Sequence, residues 1–187
     1  CGVPVPHPRE PRRLLFVGSD RPQKRGQRLP ALLAALPEAR LTFVGRFGAR
    51  FRRRFLEFGE RVAFAGVLPA SEMASRYAQA ALLVQPAVGE AFGLAPFEAA
   101  LAGTGAVVAG DHGCGEWFGR AGGCVVPPDD AAALADAVRS RLTHPEQAAG
   151  EAAAAARFAR RELTWARVAE EVEGVYREVL ARRAERR

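Results

Sequence analysis

Ala81-Leu82-Leu83-Val84, then Gln85-Pro86-Ala87-Val88, then Gly89-Glu90-Ala91-Phe92-Gly93-Leu94-Ala95-Pro96-Phe97-Glu98-Ala99-Ala100-Leu101-Ala102-Gly103, is the stretch whose reading decides the fold. The apolar run 81–84 reads as a buried strand. Two glycines flank the turn after it, and the spacing of Leu94, Phe97 and Leu101 reads as a helix that closes at Gly103. A strand, a glycine-bearing turn and a helix start together offer unpaired backbone N–H groups and a positive dipole end, which suits a phosphate. Glu90 stands just before that anion site, and Glu98 lies about one turn inside the helix. A carboxylate repels a phosphate, so the two acids are better suited to accept hydrogen bonds from the hydroxyls of a sugar and a ribose.

The same unit recurs on both sides. Residues 13–18 form a first strand ending in glycine, followed by the turn 19–26 and a helix over 28–36 with Leu29, Leu32, Leu33 and Leu36 on one face. Residues 41–45 form a second strand, followed by an arginine-rich helix over 49–58 with Phe51, Phe55 and Phe58 aligned for packing. A third strand covers 62–66. The next helix opens at Pro69-Ala70-Ser71-Glu72, with Ser71 as the expected N-cap and Met73 and Tyr77 sharing a face. After the central helix come strands at 106–109 and 124–126, a helix over 130–142 capped by Asp129 or Asp130, an alanine-rich helix over 146–160, and a last amphipathic helix over 165–180.

Short apolar strands, each followed by a helix, predict an α/β fold: a Rossmann-like, doubly wound parallel sheet covered on both faces. Ligands in such sheets bind beyond the carboxyl ends of the strands. Gly18, Gly45, Gly66 and Gly89 all fall there, which places Lys24 and the Glu90/Glu98 segment on one rim.

Composition narrows the class. The chain has 187 residues, 49% of them hydrophobic and 26% charged, which fits one folded domain with a sizeable core. Residues 1–12 read as a linker or N-terminal extension and 13–187 as the domain. No run is long enough to cross a bilayer and no signal-peptide pattern is present, so a cytoplasmic protein is expected. The first residue is Cys1, so a fragment or processed chain is expected. Cys1, Cys114 and Cys124 read as free thiols in a reducing compartment, although a Cys114–Cys124 disulfide is open on sequence grounds.

The formal charge is +6 and Lys24 is the only lysine among 27 basic residues. The arginine clusters at 50–54 and 182–187 read as solvated faces and a tail. Contact with the inner face of an anionic membrane is a secondary expectation, and no motif supports specific nucleic-acid binding. His7, His112 and His144 lack the spacing of a shared metal site. His112-Gly113-Cys114-Gly115 places a thiol near a base, but close neighbours in a chain rarely face each other and no third, orienting group is visible.

The central stretch resembles the E-x7-E region of retaining GT-B glycosyltransferases of family 4, in Glu90-Ala91-Phe92-Gly93-Leu94, Glu98-Ala99 and Gly103-Thr104-Gly105-Ala106-Val107-Val108. The likeness extends to Phe16-Val17-Gly18, Lys24-Arg25-Gly26, Phe43-Val44-Gly45, Phe64-Ala65-Gly66, residues 113–116 and Val126-Pro127-Pro128-Asp129. It implies the C-terminal, donor-binding half of a two-domain enzyme that moves a sugar from a nucleotide-diphosphate sugar, without a metal, to an acceptor the sequence does not name. The acceptor-binding N-terminal domain would lie in the same or another chain. By that resemblance Lys24 meets the donor diphosphate and Glu90 the sugar hydroxyls, these two being the catalytic pair. The backbone of Phe92, Gly93 and Leu94 meets sugar and diphosphate, Glu98 holds the ribose diol, and the base rests near Gly66, Val67 and Leu68. Departures stand at Ser19, where the family often has arginine and Arg21 is the substitute, and at Ala81 and Ala87, where it has aspartate and serine. The competing readings are a non-enzymatic nucleotide-sugar or polyanion-binding module, and an epimerase on the same fold.

Overall fold

The computed structural model describes residues 8–110 and 113–184. Six parallel strands form one sheet in the order β3-β2-β1-β4-β5-β6. The strands are β1 (Glu10–Ser19), β2 (Arg40–Arg46), β3 (Val62–Gly66), β4 (Ala80–Gln85), β5 (Gly105–Ala109) and β6 (Cys124–Val126). The helices are α1 (Leu29–Ala35), α2 (Ala49–Arg52), α3 (Ala70–Gln79), α4 (Leu94–Leu101), α5 (Cys114–Arg120), α6 (Ala131–Thr143), α7 (Pro145–Glu162) and α8 (Trp165–Ala184). The architecture is the expected doubly wound α/β sheet, and its strand order reverses between β1 and β4.

Alternation along the strands builds two cores. Leu14, Phe16, Leu82, Val84 and Val107 face α1 and α6, while Leu15, Leu83, Ala106 and Val108 face α3, α4, α5 and α7. In the first core Phe43 stacks on Phe64 with ring centroids 4.7 Å apart, and Phe51 and Phe55 close over the pair. The aromatic face expected of 49–58 is therefore core packing, but its backbone differs from a single helix. One α-turn passes into a 3-10 segment, Arg53–Arg61, interrupted by non-helical geometry at Gly59. Arg61 donates to the carbonyls of Leu33, Leu36 and Ala39 at 2.7–3.0 Å, satisfying groups left open at the C-terminus of α1 and in the turn that leads to β2. Part of the arginine excess is thus structural.

Several boundaries differ from the sequence reading. Strand β1 starts at Glu10, where Glu10 pairs with Ala80 across an irregular register, so residues 10–12 of the expected extension run in the sheet. The start of α3 is not capped by Ser71: the chain enters through Pro69 with no side-chain cap, and Ser71 already sits in the first turn. Helix α6 does have its cap, with Asp130 accepting from Ala133 N at 2.8 Å, an interaction worth about 1 kcal/mol. Asp129 sits instead at φ 70° and accepts from Arg25 at 2.5 Å and also from Arg28. Cys114 and Cys124 are buried free thiols in different cores, so no disulfide joins them.

Helix α7 buries a stripe of small residues, Ala148, Ala152, Ala155, Ala156 and Ala159. Helix α8 buries none: Trp165 is 88% exposed, and Val172, Val175, Tyr176 and Leu180 are exposed as well. Its apolar face, which the sequence reading gives to core or interdomain packing, joins neither core among the described residues.

Candidate functional site

The crevice beyond the carboxyl ends of β1 and β4 lies where the strand order reverses, the place where open parallel sheets bind ligands. After β1 the chain makes two short 3-10 turns, Pro22–Lys24 and Gly26–Arg28, joined at Arg25 with φ 52°. The Arg25 and Arg28 pairs with Asp129 tie these turns to the loop after β6. The loop after β4 is tied to them as well, since Val88 N donates to Gln23 O at 3.0 Å.

Between the two loops Lys24 Nζ meets Glu90 Oε2 at 2.5 Å, with both side chains about three-quarters buried. These residues stand 66 apart in the chain. The sheet brings together the two side chains expected to be catalytic.

Helix α4 starts beside this pair. Its N-cap is Gly93 at φ 73°, without a side-chain cap. Pro96 in the first turn carries no N–H, so Gly93, Leu94 and Ala95 hold the amides that lack a helical acceptor. Leu94 is exposed, whereas the Phe92 ring turns inward to stack on Phe97 at 5.6 Å and lean on Trp117. At Phe92, Gly93 and Leu94 the chain thus leaves helix-start amides free and turns its one aromatic ring, half-buried, onto aromatic neighbours.

The shape of this loop depends on α5. Cys114 N donates to Glu90 O at 3.1 Å, and Cys114 Sγ lies 3.8 Å from Gly93 O. A Cβ at Gly113 (φ 59°) would fall 1.9 Å from Glu90 O, so only glycine allows the approach. Burial, then the charge of Glu90, push the Cys114 thiol up to about 11, with Lys24 pulling the other way. A thiol held protonated is the reverse of an activated nucleophile. Its sequence neighbour His112 lies outside the described residues, as do His7 and Cys1.

Glu98 points elsewhere. Tyr77 of α3 donates its hydroxyl to Glu98 Oε2 at 2.6 Å. The carboxylate borders an open groove of about 550 Å³ between α3 and α4, lined also by Ala70, Met73 and Leu101. Gly66 ends β3 at the edge of the sheet, Val67 and Leu68 follow it, and the groove begins at Ala70, two residues beyond Leu68. Val67 is 69% exposed. Exposed Arg21 heads the turn that carries Lys24.

The structure joins Lys24 to Glu90 beside the Phe92–Leu94 turn, sets Glu98 apart on the α3/α4 groove, and leaves Gly66, Val67 and Leu68 at the edge of the sheet without a contact to either. Tyr77, Cys114 and Gly113 were not singled out as site residues. Their partners lie 21 to 24 residues away in the chain, beyond the reach of local patterning. The Gln85 side-chain oxygen is buried without a donor at the carboxyl end of β4, and nothing in the structure explains it. Among the described residues no three His, Cys, Asp or Glu side chains gather as a metal site would, and no helix is long and apolar enough to cross a membrane.

Comparison with known proteins follows the same lines. The family model for glycosyl transferases group 1 matches residues 11–144, well over half the chain. Sucrose-phosphate synthase from Thermosynechococcus elongatus is 28% identical with a TM-score of 0.76, over 90% of this chain and 45% of that one. WaaG, a glycosyltransferase involved in lipopolysaccharide biosynthesis, is also 28% identical with a TM-score of 0.70, over 82% of this chain and 44% of its own. Anabaena Alr3699/HepE, in a complex with UDP-glucose, shares the fold with a TM-score of 0.76 at 19% identity, over 89% of this chain and 49% of that one. The chain thus spans about half the length of these structures. No curated protein matches. A reversed parallel sheet, with a lysine and a glutamate closed across its switch point, belongs in this chain to a member of the glycosyl transferases group 1 family, of GT-B architecture.

Proposed function

We propose that this chain is the donor-binding half of a retaining, family 4 type glycosyltransferase that moves a sugar from a nucleotide-diphosphate sugar to an acceptor held by another domain. The observation that carries the reading is the Lys24–Glu90 pair at the β1/β4 switch point, beside the uncapped start of α4. The crevice supplies what the chemistry needs. As the sugar–phosphate bond breaks, negative charge grows on the nucleotide diphosphate, and the Lys24 ammonium with the amides of Gly93, Leu94 and Ala95 lies where that charge would be met. Fixed donors in a partly dry crevice stabilise such charge without reorganising. Glu90 accepts from sugar hydroxyls and holds the anomeric carbon in line, which lowers the entropic part of the barrier. Glu98 accepts from the ribose diol, and the base lies toward Gly66, Val67 and Leu68. Arg21 adds a second positive charge at the diphosphate.

The UDP-glucose held by Alr3699/HepE on the same fold supports a nucleotide-sugar ligand. With the charge of the leaving group met by Lys24 and the helix start, we expect chelation of divalent metal to leave donor binding unchanged. The acceptor side lies with an N-terminal domain in the same or another chain, so this chain alone binds donor and turns over poorly. The buried thiols Cys114 and Cys124 fit a reducing, cytoplasmic setting, and the arginine-rich surface fits peripheral contact with an anionic membrane.

A thermal-shift panel of uridine, guanosine and adenosine diphosphate sugars tests the reading. A ligand at a hundredfold its Kd stabilises by about 2.7 kcal/mol, and Glu98→Gln should diminish that shift. Stabilisation by any polyanion, with a steep dependence on salt and indifferent to Glu98→Gln, would favour a polyanion-binding module instead. Retention is read from the anomer formed once the acceptor domain is supplied.

A further inference from the structure

Tyr77 is 2% exposed, in the core shared by α3, α4 and α7. Phenylalanine would fill such a place without a polar atom, and a buried phenol needs a partner. Here the partner is the exposed Glu98 of α4, at 2.6 Å. The backbone of Tyr77 is fixed too. Its carbonyl accepts from Thr104 Oγ1 at 2.7 Å, and fully buried Thr104 bonds through its N–H to Ala99 O at 2.8 Å. The last turn of α3 is thereby pinned to both the side chain and the C-terminal turn of α4.

From this geometry we infer that Tyr77 is a positioning residue, which sets the rotamer of Glu98 and leaves its second carboxylate oxygen directed at the ribose diol. This rests on the reading of Glu98 as the diol acceptor. An ionised carboxylate has two acceptor oxygens, and Tyr77 engages Oε2 alone. A glutamate side chain on an exposed helix face otherwise samples several rotamers, and binding would have to freeze them. A hydrogen bond made beforehand removes part of that penalty. Burial, then the hydrogen bond and charge of Glu98, raise the pKa of the phenol, so it remains a neutral donor across the working pH range. Because the donor is neutral, it brings no opposing charge to compete with the diol.

The test is calorimetric titration of uridine, guanosine and adenosine diphosphates and their 2′,3′-dideoxy counterparts against the unmodified chain, Tyr77→Phe, Glu98→Gln and the double variant. Tyr77→Phe should weaken the ribonucleotide about three- to tenfold, the size of one hydrogen bond, and leave the dideoxynucleotide unchanged. In the Glu98→Gln background the same change should do nothing further. Thr104→Val serves as the control for packing: it lowers the melting temperature but leaves the ribo-to-dideoxy ratio intact. Equal weakening of both nucleotides by Tyr77→Phe, or no weakening where Glu98→Gln weakens the ribonucleotide, overturns the positioning role alone. An unmodified chain that binds the two nucleotide classes equally overturns the diol assignment of Glu98 and the positioning role with it.

Discussion

Glu90 and Glu98 are the same residue type, eight positions apart, and the fold treats them differently. Glu90 lies in the β1/β4 crevice with one oxygen taken by the Lys24 ammonium. Glu98 lies on the α3/α4 groove with one oxygen taken by a neutral phenol. Lys24 is also what a diphosphate would seek, so a donor entering the crevice competes with Glu90 for it. No such contest arises at Glu98, because Tyr77 is deep in the core and has nothing to offer a phosphate. The difference teaches that what a carboxylate can do depends on the group that already holds it: in the proposed donor complex Glu90 would give up or share its partner, and Glu98 would keep its own.

The sharpest way to break the comparison is Gly113→Ala. The new methyl group would meet Glu90 O at 1.9 Å, at a φ of 59° that side chains avoid. The backbone strain alone is about 1–3 kcal/mol, and each kcal/mol lowers the melting temperature of a domain this size by about 2–4 °C. Calorimetry should show a fall of about 5 °C or more, while the preference for ribo- over dideoxynucleotide that we propose for Glu98 should survive. Lys24→Met comes next. Loss of a charge-assisted contact should weaken nucleotide-diphosphate binding about ten- to a hundredfold, with little change in binding of the bare nucleoside. Glu98→Gln should have the opposite profile: about tenfold weaker binding, lost from the ribose and shared by nucleoside and diphosphate alike. If Lys24→Met and Glu98→Gln weaken the same set of ligands, the two acids do not act separately.

The smallest effect reads the Glu90 side through its neighbour. Burial and the charge of Glu90 raise the Cys114 pKa from 9.0 to about 11. The folded state therefore holds this proton more tightly than the unfolded chain does. Its contribution is intact below about pH 9 and is lost as pH rises through about 11. Urea midpoints measured from pH 8 to 11 should fall, and Cys114→Ala should lessen the slope. Some slope should remain, because Cys124 is raised as well.

Much of this was legible beforehand because it is local. Strands β3 and β6 follow apolar runs bounded by glycine or proline, and both sit where the pattern puts them. The family resemblance named Lys24, Glu90 and Glu98 from short motifs, and the sheet gathers the first two at one crevice. What stayed hidden is non-local or runs against propensity. Helix α5, Cys-Gly-Glu-Trp-Phe-Gly-Arg, carries two glycines that disfavour helix in isolation, and packing of Cys114 and Phe118 overrides them. Tyr77 read only as sharing a helix face with Met73, and only the packing of α3 on α4 gives its hydroxyl a meaning. Ser71 looked like a cap because of its type, but Pro69 in an extended conformation had already started the helix two residues earlier.

Helix α8 carries a consequence for how the molecule comes apart. Its 20 residues rest on no core. Among the described residues it is braced by rungs of opposite charge along its own surface, Arg167 with Glu171, Arg177 with Glu173 and Arg182 with Glu178. Rungs of that kind supply only a few tenths of a kcal/mol each and fade as electrolyte is added. Warming in concentrated salt would therefore fray this arm while the sheet is still intact, and amide exchange would run fastest there.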